Sequence, residues 1–97
     1  MFVCALSVEL FLPNCHSLKE KRGLIRPIMD GLRHRFSVSA AEVDYHDKWQ
    51  RATIAVAVVA GSAGHVEAVI DSCERFVWSF PAIVVTDCRR AWLDAID

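Results

Sequence analysis

Seven consecutive residues, His16-Ser17-Leu18-Lys19-Glu20-Lys21-Arg22, bring a histidine, a hydroxyl, a carboxylate and three cations to the point where an apolar run gives way to a helical pattern. Ser17 and Glu20 have the S-x-x-E spacing of a capping box, in which the hydroxyl accepts from the backbone N–H three residues on and the carboxylate reaches back. His16, Ser17 and Glu20 are therefore expected to cap and orient the helix start. Lys19, Lys21 and Arg22 fall in its first turns, where the macrodipole favours acidic side chains, so their placement opposes helix stability slightly. Cations held against that dipole suit a surface that meets an anion. Lys19, Arg22, Arg26 and Arg33 follow one another at spacings of 3, 4 and 7, which makes one charged stripe along the helix. The bland reading is a solvated helix face; the functional one is a set of phosphate contacts whose affinity depends strongly on salt. Lys48, Trp49 and Arg51 form a second basic and aromatic group, and the expected nucleic-acid contacts are these seven residues together.

Other chemistries find weaker footing. His16, Asp44, His46 and Asp47 offer nitrogen and oxygen donors, so the alternative reading is a small-molecule or metal-binding enzyme at that cluster. No H-x-x-x-H or H-E-x-x-H spacing supports it, and neither a metal nor a cofactor is expected. No catalytic residue is assigned, because Cys15 and His16 are sequence neighbours whose side chains point apart. There is no Walker A motif. Gly61-x-x-Gly64 resembles a nucleic-acid clamp in letters alone, with no basic residue between the glycines, and reads as a loop before a helix. The strand around Ile54 carries no aromatic pair, which argues against base stacking on the middle of a sheet.

These residues must be positioned by a chain of 97 residues, expected to form a single domain over residues 1–97. Its 54% hydrophobic content is ample for a core. The net charge of −1 calls for no polyanion, yet residues 17–35 hold six basic against two acidic side chains, a local net of +4. Cys4, Cys15, Cys73 and Cys88 show no C-x-x-C pair, and Cys4 and Cys73 lie in apolar runs that suggest buried thiols. Residues 1–12 resemble a signal h-region but lack its basic flank and cleavage site. No run approaches the roughly 20 apolar residues of a membrane span. A cytoplasmic protein with reduced thiols is the expectation.

The hydrophobic periods alternate in kind. Residues 2–12 read as a buried strand, with Phe2, Cys4, Leu6, Val8, Leu10 and Leu12 on one side. Leu18, Ile25, Ile28, Met29, Leu32 and Phe36 mark a helix over 18–36, interrupted by Pro27, where a bend is expected. Residues 38–45 alternate weakly as an edge strand, residues 44–48 form a hairpin turn, and residues 49–60 return as a strand. A second helix spans 63–79 and a last strand 82–92. Core packing is the default for Trp49, Trp78 and Trp92, with partial exposure considered for Trp49. This β-α-β-β-α-β order predicts a ferredoxin-like α+β sandwich, a four-stranded antiparallel sheet with two helices on one face. Right-handed crossovers then put residues 16–22, 44–51 and 78–81 at one pole. The uncovered sheet face, with Ser39, Thr53, Thr86, Ala55 and Ala57, is expected to suit a homodimer.

The blocks His16-Ser17-Leu18-Lys19-Glu20-Lys21-Arg22, Arg35-Phe36, Ala41-Glu42-Val43-Asp44 and Asp47-Lys48-Trp49-Gln50-Arg51-Ala52 resemble the YlxP-like family of bacterial proteins. The resemblance implies a ferredoxin-like fold. That family's genes lie beside translation and ribosome-maturation genes, which implies a ribosomal RNA or ribosomal subunit as partner. The expected function is thus a non-enzymatic accessory factor in ribosome maturation or translation, with a self-associating regulatory scaffold as a further alternative. The family supplies no catalytic residues to carry over.

Overall fold

The computed structural model describes residues 1–93 and has the element order β1 (Phe2–Phe11), α1 (Leu18–Phe36), β2 (Ser39–Asp44), β3 (Arg51–Ala60), α2 (Ala63–Trp78) and β4 (Val84–Leu93). The four strands form one sheet in the order β2-β3-β1-β4, with every neighbouring pair antiparallel. This is the ferredoxin-like arrangement, and α1 and α2 cover one face of it. Cys4, Leu6, Val8 and Leu10 of β1 alternate with Ala52, Ile54, Val56 and Val58 of β3 on the covered face, where all are buried. The period of two in each strand is what lets one face be apolar throughout.

Helix α1 presses Ile25, Ile28, Met29 and Leu32 into that core, and α2 contributes Val66, Ile70, Cys73 and Val77. Leu18 and Phe36, at the ends of the α1 stripe, are only half-buried. The α1 helix runs unbroken through Pro27, which faces solvent. Its interior proline costs about 3 kcal/mol. The four buried side chains return roughly 2 kcal/mol each, which decides the balance for the helix.

Both helix starts are capped, that of α1 by the residue its sequence indicates. Ser17 Oγ accepts from the Glu20 N–H at 3.1 Å, and Ser62 Oγ accepts from the His65 N–H at 3.2 Å. Glu20 reaches back one residue further than in a standard capping box, since its Oε2 accepts from the His16 N–H at 2.9 Å. Helix α1 ends on Ser37 in the left-handed region at φ 53°.

Two ladder irregularities sit toward the same end of the sheet. Between Glu9 and Leu10 the β1–β4 register shifts, leaving Thr86 without a partner, and its hydroxyl donates to the Glu9 carbonyl at 3.2 Å. Between Glu42 and Asp44 the β2–β3 register shifts at Val43. Bulges of this kind raise local twist and re-aim the chain. The turn between β2 and β3 follows directly.

Trp78 and Trp92 depart from the core packing expected of them: they are 59% and 45% exposed. Trp78 is the last residue of α2, and Trp92 lies near the end of the edge strand β4.

Candidate functional site

The predicted pole exists. Phe11 at the end of β1 pairs with Arg51 at the start of β3 and with Val84 at the start of β4. The Leu12 N–H donates to the Gln50 carbonyl at 2.9 Å, and Gln50 Nε2 donates to the carbonyls of Pro13 and Cys15, both at 3.3 Å. Gln50 thereby ties the hairpin to the loop that leads into α1.

Lys21 is the residue that sequence reasoning misplaced. It belongs to the basic opening of α1 but is 3% exposed. Its ammonium lies 2.8 Å from Glu42 Oε2 and donates to the Tyr45 carbonyl at 2.6 Å. The Glu42 contact is ionic and not a well-aligned hydrogen bond, so Oε2 depends on the Lys21 charge. A signal for this was present. Lys21 lies three residues after Leu18 and four before Ile25, on the apolar face of the helix, and Glu42 follows Ala40 on the inward side of β2.

The Lys21 contact organises the hairpin. Tyr45 has φ 61°, a left-handed conformation that costs a non-glycine residue about 1 kcal/mol or more. Four contacts hold it there. Its carbonyl accepts from Lys21 and from the Lys48 N–H at 3.0 Å, and its own N–H donates to Asp44 Oδ1 at 2.7 Å. The Arg51 guanidinium stacks over its ring with 4.0 Å to the centroid. Lys48, Trp49 and Arg51 are therefore displayed from an anchored turn, and all three are exposed.

Along α1, Lys19, Arg22, Arg26 and Arg33 are all exposed. Arg22, Arg26 and Arg33 line one groove between α1 and β2, together with Asp30, Glu42 and His46. Lys19 lies outside that groove. Arg33 donates to the Ala40 carbonyl at 2.7 Å and so braces the edge strand as well. Among the described residues Lys19, Arg22 and Arg26 join no ion pair. Lys48, Trp49 and Arg51 line a separate cleft with Phe11, Asp47 and Thr86. The hairpin stands between the two: His46 faces the groove and Asp47 the cleft.

The donors of the alternative metal reading do not converge. Among the described residues no three His, Cys, Asp or Glu side chains are grouped to hold a metal ion. His46 Nε2 lies 2.9 Å from the Glu42 carbonyl, and Asp44 is occupied by its own turn. The thiols of Cys4, Cys73 and Cys88 are poor nucleophiles at neutral pH. Burial pushes Cys73 up to about 11 and raises Cys4. Burial, then the neighbouring Glu74 carboxylate, pushes Cys88 up to about 11. Among the described residues no helix is long and apolar enough to cross a membrane.

Comparison with known proteins agrees with this frame. A de novo designed protein, LFR1 1, solved by solution NMR with a ferredoxin fold, superposes with a TM-score of 0.56 over 100% of this chain and 89% of its own, at 10% identity. The likeness is one of fold alone. YlxP of Bacillus subtilis (strain 168), an uncharacterized protein, is 34% identical over 84 residues, covering 87% of this chain and 91% of its own length. The model of a family described as "Protein of unknown function (DUF503)" matches residues 3–90. A match over nearly the whole folded unit leaves one conclusion, that the chain belongs to the YlxP-like DUF503 family.

Proposed function

We propose that the protein is a non-enzymatic RNA-binding factor that acts on ribosomal RNA or a ribosomal subunit. The observation that carries this reading is the row of exposed cations on α1, Lys19, Arg22 and Arg26, which stand without carboxylate partners among the described residues. Unpaired cations on a rigid helix keep their full attraction for phosphates, whereas paired ones would first have to break a contact. Arg33 lines the same groove and extends the row. The ribosomal identity of the RNA draws on the YlxP-like resemblance, the phosphate chemistry on the helix.

The test is co-sedimentation with ribosomal subunits at low salt. The folded double variant Arg22→Glu/Arg26→Glu is expected to stay in the supernatant. Wild-type affinity should fall with a slope of about −3 in log K against log salt, as about four phosphate contacts require. Unchanged co-sedimentation of the double variant would sink the proposal.

A second copy of the chain on the open sheet face is a companion reading, with its own observation. The register aligns Ser39, Ala57, Ala5 and Ala91 in one row across all four strands, on the face away from the helices. The row beside it carries Val3, Val59 and Leu93. These two rows of small and apolar side chains, bounded by the Arg89–Asp87 pair of β4, let two sheets approach closely along them.

A further inference from the structure

The cleft at the hairpin pole carries chemistry that phosphate contacts alone do not use. Its walls include two aromatic side chains open to solvent, Trp49 at 51% and Phe11 at 38% exposure. Lys48 and Arg51 line the same cleft, and so does the carboxylate of Asp47. Its volume of about 680 Å³ lies within the range of small-ligand sites. Each wall asks for something different. Exposed aromatic faces are satisfied by a flat π-surface, the cations by an anion, and the carboxylate by N–H donors.

An inorganic phosphate would leave Trp49 and Phe11 uncovered and would be repelled by Asp47. An apolar peptide would bury Lys48, Arg51 and Asp47 without partners, which is costly. A nucleotide meets all three needs at once, with a stacking base, N–H groups on its edge and a phosphate beside it. Bases inside a duplex are already stacked and paired, so only an unpaired nucleotide can enter. The cleft also adjoins the α1 groove across the hairpin, His46 lining one and Asp47 the other.

We infer that this cleft binds an unpaired nucleobase of single-stranded RNA by stacking on Trp49 and Phe11. The inference rests on the RNA-binding reading and deepens it, because it names single-stranded and not duplex RNA as the partner. Trp49 is the anchor, Lys48 and Arg51 hold the flanking phosphates, and Asp47 accepts from the base edge. The anchored hairpin matters here, since a stacking platform held by Tyr45 and Lys21 is ordered before the base arrives.

The test uses the full chain carrying Trp78→Phe and Trp92→Phe, two exposed positions, so that Trp49 alone reports by fluorescence. The probes are an unstructured ten-nucleotide RNA and the same strand annealed to its complement. The single strand should quench Trp49 emission and bind several-fold more tightly than the duplex. Trp49→Ala should weaken single-strand binding about tenfold by anisotropy, the loss expected for one stacked base. Trp49→Phe, which keeps a ring, should stay within about twofold of the parent.

RNA that binds without changing Trp49 emission, or equally well to Trp49→Ala, overturns the cleft assignment and leaves the α1 reading standing. Failure of both RNAs to bind at low salt removes the two together. A Trp49 emission shift that follows protein concentration and ignores RNA would give the cleft to a second copy of the chain.

Discussion

Lys21 shows how one residue can carry a different role from its neighbours of the same charge. Lys19 and Arg22 point outward and are free to meet an anion, whereas Lys21 is turned inward to neutralise Glu42 and to hold the Tyr45 carbonyl. Removing the ammonium strands a largely buried carboxylate. Lys21→Met is therefore expected to cost about 2–3 kcal/mol in urea unfolding, below the value for a fully buried pair because the Glu42 side chain is 25% exposed. Adding Glu42→Leu to it should recover much of the loss, since no unpaired charge then remains. A single variant within about 0.5 kcal/mol of the parent would show that the pair is incidental. The outward cations were legible from their spacing. Lys21 was legible only from its place on the Leu18–Ile25 face, since charge counting groups it with Lys19 and Arg22.

At the scale of elements, the two helices meet where Gly31 of α1 faces Phe76 of α2. A Cβ built at Gly31 would collide with the Phe76 ring. That ring has little room to yield. It packs edge-on against Phe36 and Phe80 with centroids at 5.6 and 5.2 Å, and the Arg35 guanidinium lies 5.1 Å from its centroid. Gly31→Ala gains up to about 1 kcal/mol of helix propensity but overpacks this contact by up to about 3 kcal/mol, so a net loss of stability is expected. At Gly23 on the same helix nothing lies within 4 Å of the added carbon. Gly23→Ala should instead raise stability by up to about 1 kcal/mol. Opposite signs in thermal unfolding check both; a stabilised Gly31→Ala would mean that the helices slide apart freely. Element type, order and the α1 cap were readable from periodicity and from the S-x-x-E spacing. The close approach at Gly31 was not, because it joins residues on two different helices.

The whole molecule has two faces of opposite character, one sealed by helices and one bare. If the bare face is where a second copy docks, light scattering should give twice the chain mass, insensitive to salt because the row is uncharged. Ala57→Glu, exposed and at the centre of that row, should return the mass to a monomer with an unchanged circular dichroism spectrum. A monomeric parent would remove the reading. At this scale the division between sequence and structure is plain. The sequence alone determined the β-α-β-β-α-β order, the buried faces of β1 and α1 and the basic stripe of α1, because period and composition are local properties. Chain connectivity with right-handed crossovers was enough to bring the helix start and the hairpin to one pole. Only the tertiary structure decided that Lys21 meets Glu42 and the Tyr45 carbonyl, and that Tyr45 turns left-handed. It also decided that Phe11 and Trp49 share one cleft and that Trp78 and Trp92 stay uncovered. Each of these depends on which side chains from distant segments meet, and that is a property of packing geometry that no local pattern encodes.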